Sequence, residues 1–185
     1  NVCNFSKPTG DAPALISLEE VETLFHEFGH GLSSLLSKVP YRGLGSFPRD
    51  FVEVPSQIME NWALEPEVLQ VYAKHFKTGV VIPAALVEKI KKSAQFDQGF
   101  ITVEYLAASI LDMDWHTLAP GPAKDTTAFE NASLAKIQLP SDIVSRYRST
   151  YFNHIFGPGG GYASGYYAYI WSEVLDQDAF QAFRE

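Results

Sequence analysis

Hydrophobic positions along this chain repeat mostly with a helical period. Val21, Leu24, Phe25, Phe28, Leu32, Leu35 and Leu36 fall on one side of a helix. Ser17-Leu-Glu-Glu20 ahead of them reads as a capping box, with Ser17 as N-cap and Glu20 reaching back. The first helix is therefore expected over residues 18–39, with Pro40 ending it. Residues 41–51, with Gly43, Gly45 and Pro48, read as a loop. A second helix is expected over 54–64, with Pro55 in its first turn and Pro66 beyond its end. Residues 66–77 read as a third helix closed by Gly79, 83–95 as a fourth and 100–118 as a longer apolar fifth. A flexible connection over 120–127 precedes short helices over 128–147. After a glycine-rich turn at 157–161, a last helix is expected from about Ala163 onward. Strand signals are few, residues 1–16 are irregular, and no internal repeat is visible. The class is mainly α, multi-helix, with few or no strands.

The first helix carries more than packing. His26, Glu27 and His30 form His-Glu-x-x-His, and residues four apart project from one helix face. Two imidazoles can then bind one metal ion. Glu27, about a quarter turn away, stands where a general base for an attacking water is needed. At ~100° per residue the histidines lie almost opposite the centre of the apolar stripe. The helix is thus expected to pack that stripe into the core and turn its histidines to a cleft. A catalytic zinc needs a third protein ligand. Glu53, just ahead of the second helix, is assigned that role. Glu60, two turns further on the same face, suits the acceptor that takes the free N–H of a ligating histidine.

Composition narrows the partners. The chain has 185 residues, 46% of them hydrophobic, enough for one sizeable core. Its net charge of -8 argues against nucleic acid and against an anionic membrane. One cysteine, Cys3, excludes an internal disulfide and fits a reducing, cytoplasmic setting. Asp112, Asp114, His75 and His116 match no metal-ligand spacing and read as packing or surface residues.

Two long motifs carry a family resemblance. Phe25-His-Glu-Phe-Gly-His30 followed by Arg49-Asp-Phe-Val-Glu-x-Pro-Ser-Gln57 resembles the thimet oligopeptidase family of zinc metallopeptidases. Val2-Cys-Asn-Phe5, Tyr72-Ala-Lys-His75, Tyr147-Arg-Ser-Thr-Tyr-Phe152 and the stretch from Gly160 to Trp171 resemble its bacterial peptidyl-dipeptidase branch. The resemblance covers essentially the whole chain. It implies a zincin-like catalytic core with one zinc per chain, held by His26, His30 and Glu53. It also implies Glu27 as general base and proton shuttle. His154, Tyr162 and Tyr169 are implied to face the metal across the cleft and steady the oxyanion of a peptide carbonyl.

Tyr162, Tyr166 and Tyr169, at spacings of four and three, are expected to share a helix face, which makes Tyr166 a substrate-contacting candidate. Tyr167 and Trp171 read as core. Between His154 and Tyr162 the chain is about two residues longer than the family pattern, and its glycines permit the loop to flex over substrate. Family members are much longer, so the chain is read as part of a catalytic domain without the N-terminal channel wall and the extreme C-terminus. The implied activity is zinc-dependent hydrolysis of short peptides with release of C-terminal dipeptides. An oligopeptide endopeptidase of the same family is the alternative. A non-catalytic helical fragment, its channel open to water, is the rival from another class. Dipeptide release needs a cation for the substrate carboxylate; Arg146 and Arg148 lie close in sequence to the tyrosine region.

Overall fold

The computed structural model describes residues 1–11, 13–158 and 161–185. It is mainly α, as the pattern predicts. The helices are α1 (Leu18–Leu36), α2 (Val54–Glu60), α3 (Pro66–Tyr72), α4 (Ala84–Ser93), α5 (Gln98–His116), α6 (Thr126–Lys136), α7 (Asn153–Phe156) and α8 (Ala168–Arg184). Single 3-10 turns extend α2 over Asn61–Leu64 and precede α7 over Ser149–Tyr151. No strand forms among the described residues. No helix among them is long and apolar enough to cross a membrane.

The chain divides into two compact units. The first comprises Asn1–Ile90 with Tyr169–Glu185, the second Lys91–Ala168. In the first unit, α1 opens on the expected capping box: Ser17 Oγ accepts from Glu20 N at 3.2 Å, and Glu20 Oε2 accepts from Ser17 N at 2.7 Å. The helix ends at Leu36, where Ser37 turns to extended geometry ahead of Pro40.

The apolar stripe of α1 departs from expectation. Val21 is buried, but Leu24, Phe28, Leu35 and Leu36 are exposed. The neighbouring helix lies instead on the histidine side, and Gly29 is the reason. A Cβ there would come within 2.6 Å of Ser56 Cα and closer still to the Pro55 carbonyl. With no side chain at 29, the first turn of α2 sits directly on α1.

The third expected helix stops early, at Tyr72. The chain then reverses: His75 N donates to the Val80 carbonyl, Ile82 N to the Ala73 carbonyl, both at 2.8 Å. Gly79, at φ 71°, supplies the left-handed turn. The β-branched run Val80-Val81-Ile82 prefers the extended geometry that follows.

In the second unit, α6 starts at Thr126 under an Asp125 cap, inside the expected connection, and the following residues are largely irregular. The last helix starts at Ala168 rather than near Ala163. Tyr162 and Tyr166 therefore lie in turns, and only Tyr169 is helical. The shared helix face expected for these three tyrosines does not form. The cause is a buried carboxylate on α5: Asp112 Oδ1 accepts from Ser164 N and Asp112 Oδ2 from Tyr166 N, each at 2.9 Å. Ser164 takes a left-handed φ of 55°, which breaks any helix there. Tyr167 and Trp171, expected in the core, are exposed.

Candidate metal centre

The metal candidates converge within the first unit. Helix α1 sets the His26 and His30 rings 5.0 Å apart, edge to face. Glu53, the residue before α2, is only 1% exposed. Ser56 Oγ donates to its Oε2 at 3.0 Å and to its carbonyl at 2.8 Å, so the first turn of α2 fixes the carboxylate. Glu53 Oε2 stands 3.2 Å from both His26 Nε2 and His30 Nε2.

This donor set fits zinc. Two imidazole nitrogens and one carboxylate oxygen lie within 4.8 Å of one another. Tetrahedral bonds to zinc place neighbouring donors about 3.3 Å apart, given bond lengths of about 2.0–2.1 Å. The 3.2 Å separations match that spacing. Gly29 makes the arrangement possible, because any side chain there would push Glu53 away with α2.

Glu60 meets the other nitrogen of the same histidine, with His26 Nδ1 2.5 Å from Glu60 Oε1. Nδ1–H donating to a carboxylate fixes the tautomer and leaves Nε2 as the ligating atom. Burial alone would lower the basicity of His26. The hydrogen bonds to Glu53 and Glu60 outweigh it and push His26 up to about 9. The same cage that holds a cation through Nε2 thus also stabilises a proton.

Glu27 is half-buried on α1, one residue from His26. Among the described residues, no ion pair or side-chain hydrogen bond engages its carboxylate. A cavity of about 280 Å³ adjoins His30, walled by Ser33, Ser34, Ser46, Phe47 and Arg49. Tyr169 begins the part of α8 that belongs to this unit. Its carbonyl accepts from Gln57 Nε2 at 3.1 Å, one turn along α2 from Glu53.

The remaining candidates lie in the second unit and form a cluster of their own. His154 and Tyr162 are joined by Tyr162 N donating to the His154 carbonyl at 3.0 Å, and their rings are 5.8 Å apart. This bond closes the base of the glycine loop, of which Gly159 and Gly160 lie outside the described residues. Tyr147 and Tyr166 flank His154 at 4.9 and 5.3 Å. Tyr166 is 2% exposed, stacks on Tyr105 at 5.0 Å, and its hydroxyl is pushed up by burial first and by Tyr147 next. The structure gives it a packing position where the sequence suggested contact with substrate. Arg148 is held by Glu130, and Arg146 lies over the Tyr147 ring.

A family model described as peptidase family M3 matches residues 1–185. The chain belongs to peptidase family M3. The dipeptidyl carboxypeptidases of Salmonella typhimurium and Escherichia coli are 47% and 46% identical over 190 residues, covering 100% of this chain. Oligopeptidase A of Escherichia coli is 38% identical, covering 99% of the chain. The chain spans only 28%, 28% and 27% of these family members.

Sequence reading missed three supports of the site. Gly29 sits inside the metal motif, where its lack of a side chain draws no notice until a second helix crosses it. Asp112 closes the apolar run Leu106-Ala-Ala-Ser-Ile-Leu111 on the helix, a signal that it is held by buried donors. Asn61 follows Glu60 directly, and nothing local marks its partner 115 residues away, Asp176.

Proposed function

We propose that this chain carries the metal centre of a zinc-dependent peptidase that hydrolyses short peptides and releases dipeptides from their C-termini. The observation that carries the reading is the convergence of His26, His30 and Glu53, with the Glu53 oxygen at tetrahedral spacing from both imidazoles and a free carboxylate, Glu27, next to His26 in the helix. Zinc held there would supply Lewis acidity toward the scissile carbonyl and acidify the attacking water. Glu27 takes the proton from that water and returns it to the leaving amine. Glu60 keeps His26 in the ligating tautomer. Tyr162, Tyr169 and His154 serve as donors to the developing oxyanion, each worth about 3 kcal/mol to the barrier; family resemblance supports these three roles. A cytoplasmic setting accords with the lone Cys3.

The dipeptide-releasing mode is favoured because the 47% and 46% identical relatives are dipeptidyl carboxypeptidases. The endopeptidase mode is supported by the oligopeptidases at 38% identity. A peptide with a free C-terminus and its amidated twin, with products read by mass spectrometry, separate the two. C-terminal dipeptides from the free acid alone are expected; equal internal cleavage of both would favour the endopeptidase. Glu27→Gln should retain zinc and lose turnover. A chain that binds zinc yet cleaves neither peptide would leave it a non-catalytic piece.

A further inference from the structure

We propose that Asp176 is a positioning residue for the metal centre, acting through Asn61 to hold Glu60 where it orients the His26 imidazole. This rests on the zinc reading above. Asp176 lies on α8 and is 2% exposed. It accepts from Asn61 Nδ2 and from Gln177 Nε2, both at 3.0 Å. Gln177 Nε2 also donates to Asn61 Oδ1 at 3.1 Å, closing a three-membered polar ring. Asn61 Nδ2 reaches back to the carbonyls of Gln57 and Ile58 at 3.3 and 3.4 Å. The Asn61 side chain is thus folded over the last turn of α2 and pinned there by a charge from α8.

Glu60 is the peptide neighbour of Asn61, and its carboxylate is the one that meets His26 Nδ1. Its side chain is long and partly exposed, so holding one rotamer costs entropy, and more if its backbone is also free to move. The backbone is not free. Gln57 is tied to the Tyr169 carbonyl, Asn61 to Asp176, and Trp62 packs edge-on against Phe180 at 5.2 Å. Burying a carboxylate is costly where packing is the sole need, and an apolar residue would do that better. Asp176 lies near enough to Glu60 for the two carboxylates to feel each other's charge.

The test compares Asp176→Ala, Asp176→Asn and Ser172→Ala in the whole chain. Ser172 is a buried α8 residue whose hydroxyl donates to the Asp50 carbonyl at 3.3 Å, outside the Asn61 ring, and reports on α8 packing without that ring. Zinc affinity is read by chelator competition, and thermal stability in the presence of chelator. The His26 Nδ1–H proton of the metal-free chain is followed by NMR. Asp176→Ala should weaken zinc about 10–100-fold and release the Nδ1–H proton to fast exchange. Asp176→Asn, which keeps an acceptor oxygen, should recover part of both. Ser172→Ala should lower stability and leave both unchanged. Equal zinc loss in Ser172→Ala and Asp176→Ala at equal loss of stability would overturn the proposal. So would an undisturbed Nδ1–H proton in Asp176→Ala. If the wild-type chain takes up no zinc, the zinc reading falls, and the NMR signal alone decides the role of Asp176.

Discussion

The two units bury carboxylates in opposite ways. In the second unit Asp112 and Glu130 each accept from backbone N–H groups, Ser164 and Tyr166 for the former and Ser149 for the latter, beside a single basic side chain, His116 and Arg148 respectively. Those donors belong to turns that side-chain packing alone would not hold. In the first unit Glu53 faces two imidazole nitrogens at equal distance. Backbone amides are permanent donors and make a carboxylate structural. Imidazoles can give up their protons, and a carboxylate beside two of them can trade those protons for a metal. Burial is the same in both cases, at 0–2% exposure, so the pair of imidazoles converging on one oxygen, against backbone amides with one side chain, separates site from scaffold.

The strongest way to break this contrast is to remove one carboxylate of each kind. Glu53→Ala should abolish stoichiometric zinc, read by elemental analysis, while the metal-free chain stays folded. Asp112→Ala should leave one buried and one part-buried N–H group without an acceptor and cost about 1–4 kcal/mol in urea unfolding. It should still bind one zinc wherever it is folded. Loss of zinc in Asp112→Ala, at a temperature where its helicity is intact, would erase the distinction.

A smaller effect should come from the crossing that brings Glu53 to the histidines. Gly29→Ala gains helix propensity, worth about 1 kcal/mol. It also drives a methyl group into Pro55 and Ser56, for which overpacking costs about 1–3 kcal/mol. The expected result is a net loss of stability together with weaker zinc binding, read by melting and by chelator competition on one sample. A stabilised variant with unchanged zinc affinity would show that α2 is not seated on Gly29.

The convergence of the candidate metal ligands was the most legible part of the sequence, because helix geometry fixes what His-Glu-x-x-His can do before anything else folds. Glu53 and Glu60 followed because ligation demands a carboxylate and an acceptor, and α2 supplies both. The tyrosines were misread for an equally physical reason. Spacings of four and three indicate a shared face only if the backbone is helical. Asp112, more than 50 residues away, captures the amides of Ser164 and Tyr166 and prevents it. Likewise the α1 stripe suggested which side would be buried. Gly29 let the opposite side take the neighbouring helix. Local periodicity shows what an element can bury; a distant donor or a missing side chain decides what it does bury.

The smallest predicted effect concerns Asp176, whose surroundings lie between the two kinds. It has side-chain amides as donors, like a structural carboxylate, yet burial first and the charges of Glu60 and Glu173 push it up to about 6. An aspartate that holds its proton more tightly when folded than the ordinary value of 3.8 stabilises the fold fully below about that pH. That contribution is lost as pH rises through about 6. Asp176→Asn carries no such proton, so subtracting its urea midpoints from those of the parent chain, with chelator present, isolates that contribution. The difference should favour the parent at acid pH and fall between about pH 4 and 6, levelling off above. A difference that rises with pH would mean that the amides of Asn61 and Gln177 outweigh burial. Asp176 would then belong with Asp112 and Glu130 as a scaffold charge.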